Sequence, residues 1–366
     1  MIKVLFCTNA FEKVSNGPAK FAHLLLEYAS EADMDVRILT EDISSPKHKV
    51  YKLRFGIPRI IKPLSQFWRM WKYHRKAMAI REEFPFDVLV YNNALVGILS
   101  FIRFPGTVGM INDYGNASSR LGNVLRRKEK INKRHFFYFV EYLAAKSSSR
   151  IIVNSDYLKH FLHTAYRTPE TKFFKLYKGI ENGTSNGTPI EVVKRIPKSL
   201  LFVKTDFANG GLFDLIDAIK MLDFQISMTI VGPAASFHEQ IIELLEGHCQ
   251  SLSITGYREQ SEIFKMMREH EVFCVPSHKE AFGVGNLEAM AAGCKIVSTN
   301  VGGIPEAVGT TGVSWLVPPH SPKDLKVALE RAFNTDIAAH QATVQNHLIQ
   351  FTAEKVVRNF KAIIEV

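Results

Sequence analysis

Two carboxylates stand out by their setting. Glu280 and Glu288 lie with seven residues between them in the stretch Pro276 to Val308, PSHKEAFGVGNLEAMAAGCKIVSTNVGGIPEAV. A strand-like run, Val272–Val275, stops at Pro276. Gly283 and Gly285 then lead into a helical pattern from about Asn286, which puts Glu288 in its first turn. Glycines ahead of a helix start free backbone N–H groups to face an anion. An ionised carboxylate accepts strong hydrogen bonds, so two at this spacing suit paired hydroxyls, one on a sugar ring and one on a ribose. A loop glutamate and a second one favoured by the helix dipole account for the same residues without chemistry.

Other polar residues sit where strand-like runs end. Lys204 and Asn209 follow Leu200–Lys204, Gly256 and Tyr257 follow Leu252–Thr255, and Asn112 and Asp113 close Val108–Asn112. Each group also reads as ordinary turn chemistry. Metal-ligand spacing is poor: His160 and His163 are three apart with no carboxylate or thiolate beside them. Cys7, Cys249, Cys274 and Cys294 form no C-x-x-C pair and read as buried thiols of a reducing compartment.

The elements that must position these residues alternate. Strand-like runs at Lys3–Thr8, Val36–Thr40, Asp87–Tyr91, Val108–Asn112 and Arg150–Asn154 have helical stretches between them. Residues 182–198 are rich in Gly, Thr, Asn and Pro at their start, and the alternation then resumes from Leu200 to Val317. Ser44 to Phe84 has no clear strand. This pattern predicts two Rossmann-like, doubly wound α/β domains. We place the first at 1–182, a linker at 183–198, the second at 199–337, and a helical tail at 338–366 that returns to the first domain. Such sheets bind ligands at the carboxyl ends of their strands, and a ligand shared by two domains would sit in the cleft they face.

Charge divides the 366 residues unevenly: residues 1–190 carry +14 and residues 191–366 carry −4. From Ile43 to Arg81 there are 11 Lys or Arg and no acid, and from Arg120 to Arg134 seven cations face only Glu129. Leu64, Phe67, Trp68 and Trp71 form a helical stripe, with Arg69, Lys72, Arg75 and Lys76 on the other faces. That stripe is either a core face or one that meets an anionic membrane surface. A nucleic-acid role is disfavoured by the acidic second half and the lack of a base-stacking motif. No run of 18 apolar residues is present, and Ile2–Cys7 reads as a buried strand rather than a leader segment.

The stretch around the two glutamates resembles the donor-binding signature of the retaining glycosyltransferases of family 4, which have the GT-B fold. The matching residues are Glu280-AFGVGNL-Glu288, the small-residue helix Ala289 to Gly293, and the loop Gly302-Gly303-Ile304-Pro305-Glu306. Lys178 to Asn182 (KGIEN), Ile152 to Leu162 and Ser15 to Ala29 extend the likeness over nearly the whole chain. The resemblance implies that Glu280 contacts the donor sugar and Glu288 the ribose. Phe282, Gly283 and Val284 would line the sugar and diphosphate, Gly17 would lie near the phosphates or the acceptor, and Gly256 and Tyr257 near the base.

Two departures qualify the likeness. The family's R-x4-K-G reads here as Lys204-TDFA-Asn209-Gly210, one point charge and one neutral amide in place of two cations. Lys279 and Arg258 are nearby candidates to replace the missing charge. Where many members carry a histidine facing the reacting sugar, this chain has Asn112, followed by Asp113. In the mechanism usual for the family the leaving phosphate takes the acceptor proton, so neither a protein base nor a metal or other cofactor is expected. The resemblance thus implies a transfer from a nucleotide-sugar to a glycan or lipid-linked acceptor of bacterial envelope or capsule assembly. The expected location is cytoplasmic, peripheral on the inner face of the membrane. The alternatives are a nucleotide-sugar epimerase or hydrolase of the same fold, and a catalytically silent nucleotide-sugar-binding protein.

Overall fold

The computed structural model describes all residues except 13–16, 45–47, 55, 57–64, 120–132, 181–194 and 366. The chain forms two compact units, Met1–Gly179 with Ala353–Val366, and Ile180–Thr352.

The first unit is built on seven parallel strands: β1 (Ile2–Thr8), β2 (Met34–Thr40), β3 (Val50–Lys52), β4 (Val88–Tyr91), β5 (Thr107–Ile111), β6 (Arg150–Val153) and β7 (Phe173–Lys175). Their order is β3-β2-β1-β4-β5-β6-β7. Its helices are α1 (Gly17–Tyr28), α2 (Ser65–Glu83), α3 (Ile98–Arg103), α4 (Lys133–Ser147) and α5 (Asp156–Tyr166). Parallel strands need a crossover, and helices on both faces supply it, so central strands such as β4 and β5 are buried along their whole length.

The second unit repeats the plan with β8 (Ile196–Val203), β9 (Ile226–Val231), β10 (Cys249–Thr255), β11 (His270–Val275), β12 (Lys295–Thr299) and β13 (Ser314–Val317), in the order β10-β9-β8-β11-β12-β13. Around this sheet lie α6 (Leu212–Lys220), α7 (His238–Leu245), α8 (Gln260–Glu269), α9 (Val284–Ala291), α10 (Ile304–Val308), α11 (Pro322–Asn334) and α12 (Gln341–Leu348). The last helix, α13 (Ala353–Glu365), belongs to the first unit, where Phe360 packs edge-on against Phe6 and Phe21.

Four expectations are revised. The stretch from Ser44 to Phe84 does hold a strand, β3, three residues long and paired to β2. Ile196–Lys198 are part of β8 rather than of a linker. Of the tail, 338–352 belongs to the second unit and only Ala353 onward to the first. The fourth is the aromatic stripe of α2, which is not its core face. Met70, Tyr73, His74, Ala77 and Ile80 are buried instead, and the Tyr73 hydroxyl donates to the Thr8 carbonyl at 2.9 Å. Phe67 and Trp71 are 49% and 36% exposed.

Candidate functional site

In both sheets the strand order reverses between the first strand and its later neighbour: β1 beside β4, β8 beside β11. Outside the carboxyl ends of such a pair the connecting loops diverge and leave room for a ligand. Each unit has a group of candidate residues at this point of its own sheet.

In the second unit, Lys204 leaves β8 and Glu280 follows β11. Lys204 Nζ donates to Glu280 Oε2 at 2.8 Å, with the two side chains 31% and 24% exposed. The other carboxylate oxygen accepts from the Ala281 N–H at 3.1 Å. A pair this open contributes little to stability, about 0–1 kcal/mol. Its position matters more: cation and carboxylate stand together across the switch point. The backbone there is tight. Gly302 has φ +58°, and a Cβ on it would lie 1.6 Å from the Glu280 carbonyl oxygen. Gly211, at φ +76° ahead of α6, would press on the Pro276 carbonyl oxygen at 2.1 Å. Only glycine fits either place.

Helix α9 starts at Val284, two residues earlier than its sequence pattern suggests, so Glu288 stands in the second turn. Gly283 precedes the helix at φ +94° without a side-chain cap on its N–H groups. Glu288 Oε2 accepts from Gln260 Nε2 at 3.1 Å. That bond ties Glu288 to the start of α8, just beyond Gly256 and the exposed Tyr257. Phe282 corrects an expectation: its ring is 1% exposed and packs on Phe351 at 5.9 Å, so only its backbone can line a site. Asn209 is exposed, and its amide donates to Asp206 at 2.8 Å, while its carbonyl accepts from the His278 N–H at 2.8 Å. Lys279 is exposed, and Arg258 lies 3.8 Å from Glu262.

In the first unit, residues at five strand ends form one network. Asn112 Nδ2 donates to the Asn92 carbonyl at 2.8 Å, and Asn92 Nδ2 donates to Thr8 Oγ1 at 3.3 Å. Asn154 Nδ2 donates to the Asn112 carbonyl at 2.9 Å. Lys178, just past β7, donates to Asn112 Oδ1. Lys178 is buried, its amine lies over the Phe21 ring, and burial pulls its pKa down to about 8. Asp113 is exposed, and its carboxylate accepts from the Gly115 N–H at 2.7 Å, which is turn chemistry. Gly17 opens α1, and the loop before it lies outside the described residues. Lys178, Asn92 and Asn154 were not singled out from the sequence. Each follows a strand at its carboxyl end, and Lys178 and Asn154 also lie within the KGIEN and Ile152–Leu162 stretches.

One group among the described residues has metal-ligand types, and it joins distant segments. His278 Nε2 is 2.7 Å and His320 Nδ1 3.6 Å from Asp214 Oδ2, with all three potential ligand atoms within 4.8 Å of one another. His160 and His163 stand on α5 with ring centroids 6.5 Å apart. The buried Cys7, Cys274 and Cys294 have their thiols pushed up by burial, and Cys249 is half-buried.

Comparison with known proteins follows this division. Residues 15–182 match the model of Glycosyltransferase Family 4, and residues 190–347 match that of Glycosyl transferases group 1. An uncharacterised glycosyltransferase of Methanocaldococcus jannaschii is 26% identical over 220 residues, 57% of this chain and 55% of that protein. The chain thus spans about half the length of the curated relatives it matches. Among solved structures, sucrose-phosphate synthase from Thermosynechococcus elongatus superposes with a TM-score of 0.74 at 16% identity, covering 100% of this chain and 98% of that one. HepE from Anabaena, solved with UDP and glucose, gives 0.68 at 16% identity over 100% of both chains. The two family models between them take in most of the chain, and the fold matches along its whole length: the protein belongs to the family 4 glycosyltransferases and has the GT-B fold.

Proposed function

We propose that the protein transfers a sugar from a nucleotide-sugar to a glycan or lipid-linked acceptor, with retention at the anomeric carbon, in bacterial envelope or capsule assembly. The observation that carries this reading is the Lys204–Glu280 pair at the β8/β11 switch point, with Glu288 one helical turn into α9. Glu288 holds the ribose hydroxyls beside Gly256 and Tyr257. Glu280 faces the sugar, where positive charge develops as the glycosidic bond opens. Lys204 stands where it can turn from Glu280 to the departing diphosphate, a charge-assisted contact. Asn112, held by Lys178, presents a carboxamide that cannot titrate, so the leaving phosphate takes the acceptor's proton. No step is assigned to Asp113 or to the Asn209 side chain. A nucleotide-diphosphate of the kind bound by HepE is the first donor class to try.

The acceptor side is assigned to the first unit, and a membrane-peripheral, cytoplasmic seat follows from its charge and from α2. No helix among the described residues is long and apolar enough to cross a membrane. The test is a thermal-shift screen of nucleoside diphosphates, then transfer from each matching nucleotide-sugar with NMR of the anomeric proton in the first product. Retention with one donor supports the reading; inversion, or hydrolysis alone with every acceptor, removes it.

A further inference from the structure

A pocket lies in the first unit. It has a volume of about 380 Å³ and is lined by Lys52, Arg54, Trp71, Lys72, Arg75 and Lys76, among others. Strand β3 and helix α2 build it. The register sets Lys52 level with Thr40, and Thr40 level with Thr8, so the pocket opens at the carboxyl edge of the sheet. Helix α2 then brings Trp71, Lys72, Arg75 and Lys76 alongside, at spacings that keep them on one side of the helix.

Five cations share this space, and among the described residues none of them meets a carboxylate. Lys52 donates to the Ser44 carbonyl at 2.7 Å, Lys72 lies over the Trp68 ring at 5.2 Å, and Arg75 lies over Trp71 at 5.1 Å. The whole segment from Ile43 to Arg81 contains no acid. Arg69, one turn before Lys72, is the contrast: it is paired with Glu41 at 2.6 Å. Like charges this close repel, and the repulsion is relieved by an anion that reaches several of them together. Arginine forks and lysine point charges together suit phosphate oxygens. The volume is that of a small-ligand site.

We propose that this pocket binds a phosphate or diphosphate ester, and that the acceptor of the transfer therefore carries one. The identification of that ester as the acceptor rests on the transferase reading; the pocket's affinity for phosphate does not. Trp71 would cover an apolar or sugar face next to the phosphate.

Isothermal titration of the full chain with inorganic pyrophosphate tests this, with UDP titrated in parallel. Wild type should bind pyrophosphate with an affinity that falls as salt is raised. Arg54→Gln/Lys76→Gln should weaken it at least tenfold and leave UDP affinity unchanged. Glu288→Ala should do the reverse. Vesicles of phosphatidylglycerol and of phosphatidylcholine, and a single-stranded oligonucleotide, complete the set. Displacement of pyrophosphate by the anionic vesicles, with the double variant losing both, places the phosphate on a lipid. Pyrophosphate binding that these vesicles leave unchanged places it on a soluble ester. Pyrophosphate binding that the double variant does not weaken overturns the proposal, and so does an oligonucleotide that displaces it. If UDP fails to bind while pyrophosphate still responds to Arg54 and Lys76, the pocket stands and the transferase reading falls.

Discussion

At the scale of single residues, Glu280 and Glu288 are given different partners on one donor, so their losses should differ. Under the proposed assignment, Glu288→Ala removes a ribose contact that is the same before and during reaction. It should raise donor KM and weaken binding of the bare nucleoside diphosphate. Glu280→Ala removes a carboxylate from a centre that gains positive charge, which stabilises the transition state more than the ground state. It should cut kcat by at least ~10–100-fold, about 1.4–2.7 kcal/mol, while nucleotide affinity hardly changes. Steady-state kinetics and nucleotide titration on the same two variants check both outcomes. Full turnover in Glu280→Ala would falsify its assignment. Lys178 makes a prediction in pH. Its folded pKa is about 8 against 10.5 for a free lysine, so the unfolded chain holds more protons between those values. The buried ammonium therefore lowers stability below about pH 8, and the penalty fades as pH rises toward 10.5. At pH 7 it is worth about 3 kcal/mol, less what the hydrogen bond to Asn112 returns. Lys178→Met should raise the melting temperature at pH 7, and this advantage should shrink between pH 8 and 10. A gap that stays constant across that range would show that the amine does not titrate there.

At the scale of elements, α2 exposes Phe67 and Trp71, and Phe67 meets Phe136 of α4 edge-on at 5.5 Å. Phe139, further along α4, is 50% exposed. Exposed aromatics flanked by Lys72, Arg75 and Lys76 form the surface that would meet an anionic bilayer. Co-sedimentation with phosphatidylglycerol vesicles should be lost at high salt. Changing Phe67 and Phe139 to Ser should weaken it further, since the apolar contribution is separate from the charge. Equal sedimentation with neutral vesicles would remove the charge from the account. Helix α2 also shows where the sequence was legible and where it was not. Its existence follows from period and length. Its orientation does not, because two stripes satisfy the same period, and the more aromatic one is outside. The buried stripe includes His74, whose ring meets the Ser100 hydroxyl at 3.0 Å, a partner only the fold supplies. Strands β3 and β7 escaped notice for a different reason: each is three residues long and lies at a sheet edge, where few apolar positions are needed. The Glu280–Glu288 stretch could be picked out as a group because the two carboxylates and the glycines lie close together in the chain. Lys178 and the Asp214–His278–His320 group could not, because their partners come from distant parts of the chain.

At the scale of the whole molecule, the first unit depends on the last helix. Val356, Val357 and Phe360 of α13 are fully buried in the same core as Val4, Phe6, Phe21 and Leu25. Phe360→Ala should therefore cost about 3–5 kcal/mol, read as a shift in the denaturant midpoint of the first unit. Loss of the segment from Ala353 onward strips several such side chains, each contributing about 1.5–3 kcal/mol. That is comparable with the whole stability of a domain, so the first unit should not fold without it. An unchanged midpoint in Phe360→Ala would mean that α13 only rests on the sheet.

The same helix sets an order of events at the ribosome. Synthesis delivers Met1–Gly179 ahead of the second unit, yet the first unit lacks a wall until Ala353–Val366 has followed that second unit. The second unit, Ile180–Thr352, is one unbroken stretch and has all its strands once Val317 has been made. Domains form as units once their residues are available. The later-made half should thus become protease-resistant on nascent chains before the earlier-made half, and the first 179 residues must be kept from aggregating during that interval.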